Sequence, residues 1–568
     1  MMPSRKPPDG PLGPEAVFGA GGGSHLPPRQ AEGDPRNTCP LVPLGHGQGK
    51  FHLLNAAGEY RVVTARALEN RAELAALLGG RVAWIFAHFP RFSDSKREAA
   101  SEAGEAIMAW CVEAGLWDDR IEVRGPGIWP GPDGAPILHL GDKVVQDGKE
   151  RAAGFLDDGT LYVAHAALRR PAQKPAAKEA GQAVMEDLRL WNWRDAAGPV
   201  LFLGWIGTAY LGAAIRWRPN IFLTGGAGSG KTSLFRLARA ALPLHGHTND
   251  TSRAGLIAAL DGRPRPTLLD ESEDVNAAPT LIALMRTAAG EEGTRGLRGS
   301  PDGTGRSFSV LGSVCMAAVR VPDMPPQDAS RFSVLELAPG EGDQSAAMRA
   351  ATESVRAAAP ALWARALARH ADWLAANTAF RAALIARKCR PREADHLGAL
   401  LAGWWVLTED AAPSPAQAEA GVTGIASFVL TAEQVAADDG PQRCLQHLVT
   451  AIVFVGDNRR RSVGELVADA FALDPALENQ KAMARLDLAR LGIGTRDDDG
   501  GLVWLGNRAG GMAYVYRDSP WQAGGWRAEL LRLPRSAVSG KSMRIGGRGS
   551  YCGHAVGLPA RLLLDGEV

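Results

Sequence analysis

Residues 225–232, Gly-Gly-Ala-Gly-Ser-Gly-Lys-Thr, have the types and the spacing of a phosphate-binding loop, G-x-x-x-x-G-K-[ST]. Glycines let backbone N–H groups point at phosphate oxygens, and the positive end of the following helix adds to that attraction. Lys231 is expected to bridge the β- and γ-phosphates of ATP, and the Thr232 hydroxyl is expected to bind Mg²⁺. The predicted nucleotide-binding residues are Gly225, Gly226, Ala227, Gly228, Ser229, Gly230, Lys231, Thr232 and Ser233.

A run of acidic residues, Asp-Glu-Ser-Glu-Asp, follows the short apolar stretch 266–269. If that stretch is a strand beside the loop strand, Asp270 stands at its end and would hold Mg²⁺ through water. Glu271 would then act as the general base that orients the attacking water. The alternative for the acidic run is a solvated loop.

Arg331 precedes another predicted strand, Phe-Ser-Val-Leu-Glu-Leu. An arginine in that place can reach the γ-phosphate held by a neighbouring subunit and offset charge in the transition state. The alternative is a salt bridge with Asp328 or Glu336. Residues 307–319 are predicted to form one strand on which Ser313 either contacts the nucleotide or packs as a buried serine.

A Gly-rich segment between the acidic run and residue 307 contains several arginines. Such a segment can face the central channel of a translocating ring and contact a phosphate backbone, or it can be an ordinary solvated loop. The arginines concerned are Arg286, Arg295, Arg298 and Arg306.

The loop and the acids need a sheet that brings strand ends together. Residues 221–337 alternate strand and helix patterns, which predicts a mostly parallel sheet with helices on its faces. The fold predicted for the chain is α/β, with a RecA/AAA+-type P-loop core. The predicted divisions are a disordered N-terminus (1–38), an α+β domain (39–169), a linker (170–183), the P-loop ATPase core (184–340), a helical domain (341–437) and a basic winged-helix-like domain (438–568).

Composition sets further limits on the 568-residue chain. Apolar residues make up 45% and charged residues 22%, as in soluble globular proteins, and the net charge is only +1, so any basic site must be local. The six cysteines form no C-x-x-C pair, which favours reduced thiols and a cytoplasmic location over a zinc ribbon or disulfides. The longest apolar run, residues 200–215, is shorter than the roughly 20 residues of a membrane helix, so a buried helix is expected.

The last 68 residues carry a local basic charge. Residues 501–568 contain nine Arg and Lys and four acids, a net +5, with Trp521, Trp526 and Tyr551 between them. A surface that follows a nucleic-acid backbone and stacks bases needs these residue types. The alternative is a solvated basic tail.

Other aromatic residues and one histidine are predicted to be structural. Trp191 and Trp193, the pair Trp404 and Trp405, and His139 all stand in apolar surroundings. Tryptophans in such patterns usually pack in the core, and none of these residues is given a function here.

The stretches RWRPNIFLTGGAGSGKTSLFRLARAAL, AGLIAALDGRPRPTLLDESED and DASRFSVLEL resemble the ATPase core of primase-helicase-type proteins of prophages and mobile elements, which belong with the superfamily 3 and AAA+ helicase-like P-loop ATPases. The resemblance extends over roughly residues 39–560. It implies ATP-dependent work on DNA in phage or plasmid replication by a ring of subunits. In that reading Lys231, Thr232, Asp270, Glu271 and Arg331 have the roles given above.

Two departures from the family pattern limit what the resemblance implies. The chain has no zinc-binding cysteine cluster and no acidic pair of the primase type, so primer synthesis would need a separate primase or replication protein. Relatives tend to have a lysine in the segment where this chain has Arg298.

The function predicted from the sequence is ATP hydrolysis with Mg²⁺, coupled to translocation or unwinding of DNA in phage or mobile-element replication. The expected partners are single-stranded or fork DNA and further copies of the chain in a homo-oligomeric ring, with no membrane. Two alternatives stay open, which are a DNA-binding switch gated by nucleotide and a DNA-packaging ATPase.

Overall fold

The protein is described from a computed structural model. The described residues are 34–89, 96–248, 253–270, 282–285, 288–290, 294–299, 305–319, 331–340, 344–429, 440–456, 459–497, 501–507, 510–517, 519, 521–522, 524–533, 535–538, 542–546 and 551–564. The chain is a mixed α/β protein with two units, Met1–Val429 and Leu430–Val568.

The first unit begins with small sheets and four helices. Their bounds are β1 Val42–Gly47, β2 Lys50–Leu54, β3 Tyr60–Thr64, α1 Ala65–Glu69, α2 Arg71–Leu77, α3 Ala83–His88, α4 Lys96–Glu113, β4 Glu122–Arg124, β5 Gly127–Pro130, β6 Pro136–His139, β7 Lys143–Gln146, β8 Lys149–Ala152, β9 Phe155–Asp157 and β10 Thr160–Tyr162. Strands β1–β3 form an antiparallel sheet, and β5–β8 form another. Leu53, Leu68 and Ile107 are fully buried where the helices cover the first sheet.

A five-stranded parallel sheet forms the centre of the first unit. The elements are α5 Lys178–Leu188, α6 Gly198–Ala209, β11 Asn220–Gly225, α7 Lys231–Ala241, β12 Gly246–Thr248, α8 Arg253–Leu260, β13 Thr267–Leu269, β14 Thr294–Gly299, β15 Gly305–Val310, β16 Val314–Ala317 and β17 Phe332–Leu337. The strand order is β12-β13-β16-β11-β17, and every neighbouring pair is parallel. All six residues of β11 are buried, as expected for a central strand covered on both faces.

The strand predicted over residues 307–319 is divided in the structure. Residues up to Val310 pair with β14 in an antiparallel hairpin, and only Val314–Ala317 join the parallel sheet. The break lies at Gly312, where a Cβ atom would stand 2.5 Å from the backbone oxygen of Arg265. The single-strand prediction was therefore wrong, because a continuous apolar run does not reveal which strands its two halves pair with.

Four helices complete the first unit, α9 Ser345–Ala368, α10 His370–Ala386, α11 Pro391–Thr408 and α12 Pro415–Gly424. The apolar run predicted as a buried helix, residues 200–215, forms α6 up to Ala209 and then a short 3-10 helix at Gly212–Ala214, and α11 packs directly against α6 through glycines. A Cβ atom on Gly204 would stand 2.1 Å from the Leu400 oxygen, and one on Gly403 would stand 2.1 Å from the Gly204 oxygen. The prediction of burial is confirmed, and among the described residues no helix has the length and apolar character needed to cross a membrane.

The second unit has its own hydrophobic core. Its elements are α13 Gly440–Thr450, β18 Ile452–Val455, β19 Arg459–Ser462, α14 Val463–Ala470, α15 Glu478–Arg490, β20 Ile493–Arg496, β21 Leu502–Gly506, α16 Gly510–Val515, α17 Trp526–Leu530, β22 Ala537–Val538, β23 Met543–Ile545, β24 Tyr551–Gly553, β25 Ala555–Pro559 and α18 Ala560–Leu564. Strands β18 and β19 form a hairpin, and β20-β21-β25-β22 form an antiparallel sheet. A capping box between Ser462 and Glu465 fixes the start of α14 directly after the hairpin.

Candidate nucleotide-binding site

The loop between β11 and α7 has the conformation that its glycines permit. Gly228 and Gly230 have φ angles of 77° and 87°, in the left-handed region where other residues are strained. At Gly225 a Cβ atom would stand 2.3 Å from the Leu337 oxygen, so that position also requires glycine. The resulting loop is a short, tightly turned segment that ends at a helix N-terminus.

Lys231 lies across this loop at the first position of α7. Its Nζ donates hydrogen bonds to the Gly225 oxygen at 2.5 Å and to the Gly226 oxygen at 3.1 Å. The helix has no side-chain cap on its first turn, so its N–H groups are available to an anion. A cationic amine and uncapped backbone donors at one place form a suitable site for phosphate groups.

Ser229 supplies a further donor inside the loop. Its side chain is only 4% exposed, and its Oγ has no hydrogen-bond partner among the described residues. Gly226, Ala227, Gly228 and Thr232 are exposed, so the outer side of the loop is open to solvent. A buried polar atom without a partner is costly, and a bound phosphate oxygen would satisfy it.

The sheet topology places this loop at a crevice. The chain leaves β11 toward β12 on one side of the sheet and leaves β16 toward β17 on the other. Two neighbouring parallel strands whose connections run in opposite directions form a topological switch point, where ligands of α/β sheets bind. The carboxyl ends of β11 and β16 therefore define the expected binding crevice.

Asp270 follows β13 at the same edge of the sheet. Leu269 pairs with Met316, and Met316 pairs with Phe222, so Asp270 is level with the last half of β11. Strands β13 and β11 are separated by β16, a lateral distance of about 10 Å. That gap is wide enough for a metal ion with its waters and a phosphate group. Oxygens of Asp270 and of Thr232 are ligands that suit Mg²⁺.

Asp270 also acts on its neighbour Cys315 in β16. Burial raises the pKa of the Cys315 thiol well above its ordinary value, and the negative charge of Asp270 raises it further. The thiol is therefore neutral and unreactive. Glu271, the predicted general base, lies outside the described residues.

Arg331 and Ser313 stand at the opposite edge of the sheet from the loop. Arg331 precedes Phe332, which pairs with Asn220 at the amino end of β11, and Ser313 precedes β16. Ser313 is buried, and its backbone oxygen accepts a hydrogen bond from the Thr267 N–H, so it is a packed serine. The structure thus places residues 225–233 and Asp270 at the carboxyl ends of the parallel strands and Arg331 at the amino end of β17.

The alternative for Arg331 is a salt bridge with Glu336 or Asp328. Glu336 is five residues further along β17, and its carboxylate lies 3.5 Å from Arg194. Asp328 lies outside the described residues. The role of Arg331 stays a prediction.

Trp191, which the sequence predicts to pack in the core, also contacts the phosphate-binding loop. It is buried as predicted, but its indole Nε1 donates a hydrogen bond of 3.0 Å to the Gly230 oxygen, at the start of α7. A Cβ atom on Gly230 would stand 3.1 Å from the same ring. The neighbouring Trp193 forms an isolated β-bridge with Leu337. The Leu337 backbone oxygen is the atom that lies close to Gly225. The only sequence feature that could have indicated this role is the position of WNW before β11. The hydrogen bond from Trp191 to Gly230 itself depends on how residues distant in sequence fold together.

The other residues predicted to be structural fit that reading. His139 is fully buried, accepts a hydrogen bond from the Gly141 N–H and bonds to the Val163 oxygen at 2.8 Å. Burial lowers the pKa of His139 to about 4, so its ring is neutral. Trp405 is also buried.

The three aromatic residues predicted on the basic C-terminal surface differ in burial, since Trp526 is buried and Trp521 and Tyr551 are half-buried. Trp526 is 2% exposed and stacks on Tyr516 with ring centroids 5.7 Å apart. Trp521 packs against the same core, and Tyr551 packs against Gly506. The prediction that these rings are interleaved with arginines on a surface was wrong for Trp526, because burial depends on partners distant in sequence.

Comparison with known proteins gives only distant likenesses. No family model and no curated protein matches the chain. Among solved structures, the chain is similar to "SCCmec type IV Cch - active helicase" at 12% identity and a TM-score of 0.49, over 89% of this chain and 90% of the other. It is also similar to "The A form apo structure of NrS-1 C terminal region-CTR" at 10% identity and a TM-score of 0.35, over 91% and 96% of the two chains.

Proposed function

We propose that the chain is a Mg²⁺-dependent P-loop ATPase that works on DNA in replication of a phage or mobile element, as a helicase-like motor. The observation that carries the proposal is the loop before α7. There, glycines in the left-handed region, uncapped helix N–H groups and the Lys231 amine converge on one crevice. These are the groups that a triphosphate requires.

Within the loop, each residue has a distinct task. Backbone N–H groups of residues 226–232 bind the phosphates, and Ser229 offers its buried hydroxyl. Lys231 exchanges its bonds to the loop oxygens for bonds to the β- and γ-phosphates. Thr232 and Asp270 are the residues that would hold Mg²⁺ through their side-chain oxygens. The metal, when bound, neutralises charge that develops on the phosphates.

Hydrolysis needs a base and a cation beyond the loop. Glu271 follows Asp270 and is proposed to orient the attacking water. Arg331 is proposed to act on the nucleotide of a neighbouring subunit, which requires a homo-oligomeric ring. An arginine supplied in this way can accelerate hydrolysis by about 10³- to 10⁵-fold.

DNA contact is proposed for two regions. In the sequence, the β14–β15 hairpin lies between β13, which precedes Asp270, and β16, and its register pairs Arg298 with Arg306 near the turn. In the second unit, the helices α14 and α15 are followed by the antiparallel strands β20 and β21, which is the element order of a winged helix. Cations in these places would bind phosphate groups of single-stranded or fork DNA. Primer synthesis is assigned to a separate protein, and the location is proposed to be the cytoplasm.

The test is the rate of ATP hydrolysis with no DNA, with single-stranded DNA and with duplex DNA, each at low and high salt. A motor should hydrolyse faster with DNA, and the stimulation should weaken as salt rises because counterion release drives the binding. Strand separation is then measured on a labelled fork. Hydrolysis stimulated by DNA without strand separation or movement would favour the nucleotide-gated switch or the packaging ATPase, and absence of ATP binding would refute the proposal.

A further inference from the structure

The β18–β19 hairpin of the second unit presents an unusual outer face. Ile452 is 47% exposed and Phe454 is 55% exposed, whereas Val453 between them is fully buried in the core of the unit. Alternate residues of a strand point to opposite faces, so the hairpin is anchored by one face and displays two large apolar side chains on the other. An exposed aromatic ring can serve as a platform on which a base stacks.

A cation lies beside the exposed ring. The register pairs Phe454 with Arg460, and the Arg460 Cζ stands 5.8 Å from the ring centroid. Among the described residues, no carboxylate lies within salt-bridge distance of Arg460. The next residue, Arg461, belongs to the inner face and pairs with Asp469 at 2.5 Å. In the hairpin, Arg461 therefore forms a structural salt bridge, and Arg460 lies next to the exposed ring of Phe454.

The cationic character of the hairpin extends to its neighbours. Arg459 is exposed at the start of β19. A Cβ atom at Gly456, in the turn region, would stand 3.7 Å from Nη1 of Arg490, although that guanidinium also pairs with Asp487 at 2.8 Å. Arg460 is therefore the cation that lies beside Phe454, whereas Arg459 and Arg490 stand nearer the turn.

Helix α15 offers no comparable surface. Its exposed large residues, Met483 and Leu486, are apolar but not aromatic. Its arginines are engaged, since Arg485 pairs with Asp497 and Arg490 with Asp487. An aromatic ring with an arginine that lacks a carboxylate partner occurs at the hairpin and not on this helix.

We propose that the outer face of the β18–β19 hairpin binds single-stranded nucleic acid. An unpaired base would stack on Phe454, and Arg460, which is paired with Phe454 on the same face, would bind a flanking phosphate. Stacking on an open ring requires a base that is free of its own partner, so a single strand fits better than a duplex. The proposal rests on the proposed function for the class of partner and moves the contact away from residues 501–568, where Trp526 is buried.

The first test is fluorescence anisotropy with the full chain and a labelled oligothymidylate of about 20 nucleotides. Phe454→Ala should weaken binding by about 5- to 100-fold, and Phe454→Trp should retain it. Arg460→Gln should lower the slope of affinity against salt by about 0.7, the value for one phosphate contact on a single strand. Thermal midpoints should be unchanged, since both side chains are exposed.

Tyr514 and Arg517 provide a matched control in the same unit. The Arg517 Cζ stands 4.5 Å from the Tyr514 ring centroid, but this ring is partly buried against the core. Tyr514→Phe and Arg517→Gln should leave affinity and salt slope unchanged. A residue-specific readout is crosslinking of iodouracil-substituted DNA by ultraviolet light, which should label the peptide that contains Phe454.

The outcomes separate this inference from the function on which it rests. If the wild-type chain binds single-stranded DNA but the hairpin variants bind equally well and no crosslink maps to the hairpin, the inference is overturned and the proposed function stands. If the wild-type chain binds no DNA and its ATP hydrolysis does not respond to DNA, the proposed function fails. If Phe454→Ala changes the mass of the assembly and not its DNA affinity, the face is a contact between protein chains, and the inference is overturned.

Discussion

Arg331 is separated from the phosphate loop of its own chain by the length of β17. Leu337 is the strand partner of Gly225, and Arg331 lies six residues before it. At about 3.3 Å per residue this is a distance of about 20 Å, whereas an arginine side chain extends about 7 Å from its Cα with standard bond lengths. Arg331 therefore cannot reach a phosphate bound in its own loop, and any action on ATP must occur in another subunit.

The perturbation is Arg331→Ala. Nucleotide affinity should be kept, because the loop, Lys231 and the helix N-terminus are unchanged. Hydrolysis should fall by about 10³- to 10⁵-fold if the arginine stabilises the transition state from a neighbour, which corresponds to about 4 to 7 kcal/mol in the barrier. Arg356, an exposed arginine of α9 that pairs with Glu353, offers a control, and Arg356→Ala should leave the rate unchanged.

The decisive assay mixes Arg331→Ala chains with Lys231→Ala chains. In a ring with head-to-tail interfaces and random mixing at equal amounts, about a quarter of the interfaces pair an intact Lys231 with an intact Arg331. Hydrolysis should then recover to about a quarter of the wild-type rate if sites act independently. Each variant alone should stay inactive, and the recovery should follow the ratio of mixing.

The result depends on exchange of subunits, which is measured by energy transfer between labelled chains. Absence of recovery in spite of complete exchange would refute the shared site. In that case Arg331 would have a structural role, and Arg331→Ala should instead lower the thermal midpoint of the chain.

Two further predictions concern the loop and its support, and a third concerns a buried histidine of α11. Lys231→Ala should abolish nucleotide binding, whereas Glu271→Gln should keep binding and lose turnover; equal loss of binding in titration calorimetry would contradict the assigned roles. Trp191→Phe removes a hydrogen bond to the loop worth about 1 kcal/mol and should raise the nucleotide Kd about 5-fold, whereas Trp193→Phe, which loses a bond to the Leu188 oxygen, should not. Burial lowers the pKa of His396 to about 3. The contribution of neutral His396 to the free energy of unfolding is therefore complete above pH 6.5 and falls by about 2 kcal/mol at pH 5. Urea midpoints of the wild type and of His396→Asn, measured above pH 6.5 and at pH 5, test this. An equal pH dependence of the two midpoints would contradict it.

The sequence predicted those features that short segments determine. The loop, its preceding strand and its following helix form one continuous segment, and each glycine in it has a local conformational reason. Burial of α6 was also predictable, because an apolar run too short for a membrane has to pack inside the protein. Asp270 was placed correctly at a strand end for the same reason.

Features that depend on distant partners were not predictable. Trp191 and Gly230 are 39 residues apart, and no pattern in WNW shows that one indole N–H will meet a loop carbonyl. Trp526 stands among arginines in the sequence, yet its burial is decided by stacking on Tyr516. The edge of the sheet at which Arg331 stands follows only from the parallel register of β17 with β11.

Strand β17 connects the two parts of the proposed composite site. At the carboxyl end of β17, the Leu337 oxygen lies close to Gly225, and Leu337 forms a β-bridge with Trp193. At the amino end, Arg331 directly precedes the strand. Because β17 is paired with β11 along its whole length, a shift that nucleotide binding produced at one end of β17 would be transmitted to the other end through these strand pairs. We therefore expect the nucleotide state of one subunit to affect the arginine that it offers to the next, so ATP hydrolysis should be cooperative between subunits. A Hill coefficient above 1 would support this coupling, and a hyperbolic dependence of rate on ATP concentration in an intact ring would contradict it.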